Sequence, residues 1–480
     1  MAGIGFELKK IFKKTGVMSI VKGCLFSAVI TVGPFVTVMV MLVLVQLFLK
    51  VLDQPYYIRQ LFLIITVYSF IFSQIFTSGF CMVITRFIAD KVFENAYEDI
   101  VPSLYGILSI VLLLGSLLPI IFLWNAPLEM EIKIAAYVLF MQLMIMWLLQ
   151  AYLSALQDYM SIVYSFLVGF VIVVASSYVL LANIYIHIII GLLLIMNLGI
   201  LFINAFLMLN IQKRFNTSSH RYFLFLMTFE KHYDLFFISF FYTAALFIHN
   251  FIIWSGPLGD YVAGVFVYAP LYDVPNFYAF LIIIPSIIYF VVFVEVSFYD
   301  RYKEYISKIV YKGNLNEINS TRQHMLEGLN SEMSNLIELN FVFCILFIIV
   351  GNFILPKLSL SMFSINIFNL LVLAAFNTSI IQVLMIIMLY FEERRSALIL
   401  TATFFFTNVI FTYFTILMGE SYYGFGFFMA SFITLLLGLS QTRYYLGNLD
   451  YFIFNKQPLF QVKKKGLITT FVEKRYELLE

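Results

Sequence analysis

The residues of this 480-residue chain best suited to recognition chemistry are uncharged and lie inside apolar runs. Thr31 sits with Ser27 and Thr37 along one side of the first run, and Gln74 and Ser78 are four apart in the second. Tyr242, His249 and Asn250 share one helical face in the seventh, while Asn276 opens the eighth and Tyr289 lies in its middle. Hydroxyls, amides and phenols at such spacings line one side of a helix. That lining suits a neutral, hydroxyl-rich ligand such as a sugar, whose hydroxyls need hydrogen-bond partners and whose apolar ring face packs on aromatic rings. The same residues also make hydrogen bonds between helices in membrane bundles, so both readings stand at this point.

Charge is placed differently. Arg86 closes the second run, and Asp273 and Glu295 flank the eighth. None of the 27 acids falls near the middle of a run. A carboxylate deep in a membrane is costly and marks ion coupling, so a cation or drug antiporter driven by a central carboxylate is disfavoured. Catalytic signals are missing as well. The chain has no G-x-x-x-x-G-K-[ST], no G-x-G-x-x-G and no D-x-D pair. Three isolated cysteines and five histidines without a ligand spacing give neither a disulfide framework nor a metal site. The expectation is a protein that is not an enzyme and carries no cofactor.

The elements that must position these residues are membrane spans. Hydrophobic residues make up 62% of the chain and charged residues only 12%, against about 25% charged in soluble domains. A helix crosses a bilayer with about 20 apolar residues. On that criterion the sequence predicts an all-α polytopic membrane protein with twelve spans. They fall near 20–49, 61–88, 102–124, 134–156, 161–183, 186–211, 235–255, 274–295, 339–356, 365–390, 397–418 and 424–446. With both termini in the cytoplasm, only Lys50, Arg59, Lys133 and Lys357 of the 29 basic residues fall outside. That asymmetry is the positive-inside pattern. The lysine-led amino terminus runs into an apolar stretch too long for a signal peptide, and it reads as a retained span.

The two halves share a layout. "SALQDYMS" (Ser154–Ser161) and "YFEERRSA" (Tyr390–Ala397) are short hairpins between the fourth and fifth spans of each half. "TRFIADKVFE" (Thr85–Glu94) and "VSFYDRYKEY" (Val296–Tyr305) both switch from apolar to charged after the second. The reading is therefore an amphipathic segment at 1–19, a six-helix lobe at 20–211 and a basic linker at 212–234. A second lobe follows at 235–446, with a cytoplasmic loop at 296–338, and then a basic tail at 447–480. Gly33-Pro34 and Pro285 are expected to bend their spans and leave carbonyls free. Glu392, Glu393, Arg394 and Arg395 form a charge cluster of zero net charge in the second hairpin. Orientation responds to Lys and Arg, and acids contribute little, so the two acids either pair with the arginines across the turn or meet basic groups on a cytosolic partner, and docking of that partner is the expectation.

"MAGIGFELKKIFKK" (Met1–Lys14), "VPNFYAFLIIIPSIIYFVVFVEVSFYDRYKEY" (Val274–Tyr305) and "YFEERRSAL" (Tyr390–Leu398) resemble the PelG family, the inner-membrane exporter of Pel-type exopolysaccharide. That family is similar to the multidrug/oligosaccharide-lipid/polysaccharide flippase superfamily, with two six-helix lobes around a cavity. Where members often carry Ser-Gly-Pro-Trp in the first span, this chain has Val32-Gly33-Pro34-Phe35. The resemblance implies a multi-pass protein of the cytoplasmic membrane, in contact with membrane lipid. It implies a sugar polymer rich in N-acetylgalactosamine as cargo, and a cytosolic glycosyltransferase and membrane scaffold subunits as partners. Nothing points to nucleic acid. Three other functions share these features: a lipid-linked oligosaccharide flippase, an ion-coupled small-molecule antiporter, and a non-transporting scaffold of the synthase.

Overall fold

The computed structural model describes residues 17–183, 187–215, 219–311, 313–455 and 466–476. Twelve of its helical segments are long and apolar enough to cross a membrane, the number the hydropathy pattern predicts. The helices divide into two compact units.

The early unit takes in Gly33–Phe247, Gly259–Tyr268 and the described residues from Gly466 to Tyr476. Its helices are α2 (Gly33–Val51), α3 (Tyr56–Phe93), α4 (Ile100–Trp124), α5 (Met130–Ala155), α6 (Tyr159–Asn183), α7 (Ile188–Arg214) and α8 (Leu226–Lys231). The first part of α9 (Tyr233–Trp254) and the carboxy-terminal α18 (Leu467–Tyr476) complete them. α5 packs against α3 and α7, and α6 packs against α7 and α2. Leu139, Leu143, Met144 and Leu148 of α5 are fully buried in this core. A hairpin of two short strands, β1 (Asp260–Val262) and β2 (Phe266–Tyr268), closes one end of the unit. Its Phe266 ring meets Tyr68 and Phe122, and Tyr68 Oη donates to the Val267 carbonyl at 2.5 Å.

The late unit takes in α1 (Val17–Thr31), Ile248–Leu258 and the described residues from Ala269 to Asn455. Its further helices are α10 (Pro270–Phe280), α11 (Ile283–Tyr289), α12 (Val296–Val310), α13 (Leu315–Ile354), α14 (Met362–Tyr390), α15 (Arg394–Met418), α16 (Phe425–Gly447) and α17 (Leu449–Asn455). α14 is the centre: it packs on α10, α13 and α16, and most of its length is buried. Gly419 and Gly424 take φ of 101° and 93° in the turn between α15 and α16, which L side chains rarely adopt.

Four features refine the sequence reading. The first span is two helices, α1 and α2, separated at Val32 just before Gly33-Pro34. They belong to different compact units. The eighth span is broken too. Pro275 cannot donate to the Leu271 carbonyl, and the Ser364 hydroxyl bonds it instead at 3.1 Å. Pro285 likewise leaves the Leu281 carbonyl, which accepts the Ile284 N–H at 3.2 Å. A π-helical turn follows over Phe290–Glu295. The 296–338 loop is a helical hairpin, and α13 runs on without interruption from it into the ninth span. Finally, the hairpin at 260–268 adds strand to an otherwise helical chain.

Candidate functional site

Asn250 and Trp254 are four apart on α9, and Asp273 lies in the first turn of α10. The turn between them brings all three together in the late unit. Asp273 Oδ1 accepts the Asn250 amide at 2.8 Å, and the Trp254 indole N–H reaches both oxygens at 3.0 and 2.9 Å. The Ala269 N–H, at the amino-terminal cap of α10, donates to Oδ2 at 2.8 Å. A carboxylate at a helix amino terminus is favoured by the helix dipole and by the free N–H groups there. Here three N–H donors fix it. Asn276, one turn further, donates to Asn250 Oδ1 at 3.2 Å, and its own Oδ1 is buried and accepts no hydrogen bond among the described residues.

His249 lies beside this clamp and is fully buried. Its Nδ1 is 2.8 Å from Tyr272 Oη, and its ring stacks on Phe427 at 4.0 Å between centroids. A sandwiched, buried imidazole supports packing between α9, α10 and α16. A second polar string runs from Ser286 through Asn340 to Ser379, joining α11, α13 and α14. Asn377 extends the polarity to Ser431 of α16 at 3.2 Å.

The other residues singled out in the sequence are scattered. Thr31 and Ser78 spend their hydroxyls on carbonyls of their own helices, Ser27 and Ile75. Gln74 is half-buried and Tyr242 is buried, both in the early unit. Arg86 pairs with Asp90 one turn on, at 3.1 Å. Tyr289 reaches Glu332 of α13 at 3.3 Å. Glu295 lies in the π-helical turn, and only its backbone is described. In the charged hairpin, Glu393 is buried and bonded to Ser396, whereas Glu392 and Arg395 are exposed. Arg394 is within 3.3 Å of Glu392. Phe391 anchors this hairpin by packing on Phe298, Tyr302 and Tyr445.

Sequence reasoning missed Trp254 as a partner of the clamp and Tyr272 as the partner of His249. One of only three tryptophans placed four residues after Asn250 was the available signal. It also missed the linker lock of the early unit. Asp99, only 2% exposed in its side chain, pairs with Arg221 at 3.2 Å and accepts from Ser219 at 2.9 Å. Arg221 also holds Glu98 at 2.8 Å. Beside this lock opens a cleft of about 590 Å³ lined by Tyr97, Glu98, Gln157, Arg214 and Phe215. Tyr97 and Phe215 stack at 5.9 Å. Val92, Ala155 and Leu156 complete the lining of the cleft, Glu98 is paired with Arg221, and Arg214 lies 3.5 Å from Asp158. Among the described residues, no group of three His, Cys, Asp or Glu side chains could hold a metal ion.

The fold has solved counterparts. An outward-facing multidrug resistance MATE family transporter of the MOP superfamily superimposes with a TM-score of 0.60 at 14% identity, over 89% of this chain and 96% of that one. A MATE structure in complex with MaL6 gives 0.57 at 13%, over 89% and 97%. A MOP superfamily transporter from Pyrococcus furiosus, with a binding pocket described as of reverse polarity, gives 0.55 at 12%, over 89% and 96%. No curated protein matches. The PelG family model, described as an exopolysaccharide exporter (EPS-E), matches residues 1–454. The chain is thus a multi-pass membrane protein with a MATE-like transporter fold, and it belongs to the PelG family of exopolysaccharide exporters.

Proposed function

We propose that the chain is the cytoplasmic-membrane conduit of a synthase-dependent, Pel-like secretion complex, passing a growing sugar polymer from a cytosolic glycosyltransferase. The family match over residues 1–454 carries this reading. Physical chemistry supports it: apart from groups such as Asp273 and His249, the polar side chains singled out in the spans are hydroxyls, amides and phenols, and the Ser286–Asn340–Ser379 string of the late unit is neutral. Both termini, the linker and the 390–395 hairpin face the cytoplasm in this proposal, on the strength of the basic-residue asymmetry. The cleft at Tyr97 and Phe215 then serves as a loading surface for a neutral polymer rich in N-acetylgalactosamine. The proposed contacts with the polymer are Thr31, Gln74, Ser78, Arg86 and Tyr289. Glu392 and Arg395, the exposed members of the charged hairpin, are the proposed contacts with the glycosyltransferase.

One observation favours an ion-coupled antiporter, namely the carboxylate of Asp273 within a span. Its oxygens already receive three N–H donors, which suits a structural clamp better than a cation ligand. The test is reconstitution of the chain with its glycosyltransferase in sealed vesicles. Polymer accumulating across the bilayer only when both proteins are present is the expected result. Polymer retained on the synthase side, with the complex intact, would reduce the chain to a scaffold.

A further inference from the structure

The carboxy-terminal helix α18 has two faces. One is fastened to the linker of the early unit. The Glu230 carboxylate accepts the Ile468 and Thr469 N–H groups at 3.1 and 2.7 Å, and the Thr469 hydroxyl as well. Tyr476 Oη accepts the Phe223 N–H at 3.1 Å, and Val472 is buried. Thr469, Val472 and Tyr476 follow the i, i+3, i+7 spacing of one helical face. The opposite face carries Leu467, Phe471 and Lys474 at i, i+4, i+7. Leu467 is 91% exposed and Phe471 70%. Arg475 is exposed beside them.

Two observations say what covers this face. The segment to which α18 is fastened lies between two spans, α7 ending at Arg214 and α9 beginning at Tyr233, which keeps it close to the bilayer surface. Tyr222, Phe223 and Tyr233 are exposed around it, as in an interfacial aromatic belt. The charge beside the apolar face is mainly basic, with Glu473 the one acid on the helix. Lys474 and Arg475 flank the apolar pair on the helix, and Lys463, Lys464 and Lys465 precede it in the sequence. An exposed Leu and Phe framed by basic residues fit the boundary between headgroups and acyl chains of an anionic leaflet.

We infer that α18 is an interfacial anchor: Leu467 and Phe471 insert into the bilayer on the linker side, and Lys474 and Arg475 bind anionic phospholipid headgroups. The anchor holds the linker against the membrane through Glu230. It is independent of what the protein transports.

The test uses the full chain in vesicles of phosphatidylcholine alone or mixed with phosphatidylglycerol. A cysteine-free background with Phe471→Cys takes an environment-sensitive fluorophore. With phosphatidylglycerol present, its emission shifts to the blue and lipids brominated on their acyl chains quench it. Lys474→Gln and Arg475→Gln each lower the inserted fraction, by about fivefold in the insertion equilibrium at low salt. The unmodified chain supplies a second measurement: amide exchange in 467–476 slows in phosphatidylglycerol vesicles relative to phosphatidylcholine. Water-like emission and equal exchange in both vesicle types overturn the proposal. So does a label equally shielded in both and in detergent, which marks a protein surface as the cover.

Discussion

The late unit has a hub of polar groups around one carboxylate beside its neutral string, while the interior of the early unit spreads its polarity over neutral pairs. In the late unit, Asp273 holds Asn250, Trp254 and the backbone of Ala269 at once. In the early unit, Tyr152 meets Ser103 at 2.8 Å, Trp147 donates to Ser73 at 3.0 Å, and Asn197 and Asn204 each donate to a carbonyl of α5. The difference lies in what one lost group leaves behind. Removing a hub strands several donors; removing one member of a pair strands a single atom. The early unit places its acidic residues at its edge instead, where Asp99 and Glu98 hold Arg221 of the linker.

The largest expected effect tests this contrast directly. Asp273→Ala should cost about 3 kcal/mol, because three N–H donors lose their acceptor. Ser103→Ala in the early unit should cost about 1 kcal/mol. Thermal unfolding of both variants in one detergent compares them, and equal losses would erase the distinction.

Gly106→Ala probes the edge of the early unit. A Cβ there would lie 1.9 Å from the Tyr222 carbonyl oxygen, so the linker must move off α4. The expected cost is about 2 kcal/mol, with faster proteolysis within 219–232 and no change in the late unit. Arg221→Ala should cost less, about 1 kcal/mol, since Arg221 is partly exposed and Ser219 still serves Asp99. Its signature is loss of protection confined to the linker, read by amide exchange.

The smallest effect depends on pH. Hydrogen bonds from the Thr469 hydroxyl and N–H hold the Glu230 carboxyl below its ordinary value. A carboxylate with a depressed pKa stabilises its docked state above the undocked pKa, about 4.3, and loses that contribution as pH falls through the docked value. The protection factors in 467–476, taken relative to the intrinsic exchange rate at each pH, should therefore fall on acidification below about pH 4. Glu230→Gln should remove the pH dependence. A profile unchanged by that substitution would assign the dependence to another group.

Much of the fold was legible in the chain. Apolar runs separated by basic clusters give the twelve spans, and Gly33-Pro34 and Pro285 mark the two bends, because both follow from local chemistry. The role of Asp273 was not legible. Its partners lie 19 and 23 residues away, beyond a turn whose strands are three residues long, too short to show alternation. Placed by hydropathy alone, Asp273 reads as a boundary charge. His249 and Asn250 were recognised as sharing a helix, but sequence periodicity gives a face and not what packs against it. The extent of α13 was hidden for a similar reason: hydropathy marks where a helix enters lipid, not where the helix begins.

That helix has a mechanical consequence. At 40 residues, α13 is about 60 Å long, twice the hydrocarbon thickness of a bilayer. About half its length therefore stands clear of the membrane, stiffened by α12 alongside and tied to α17 by the Arg322–Asp450 pair. It is a lever with its fulcrum in the lipid. A tilt of only about 10° about the bilayer centre sweeps the end near Leu315 through about 8 Å, a displacement large enough to make or break a contact with a neighbouring molecule.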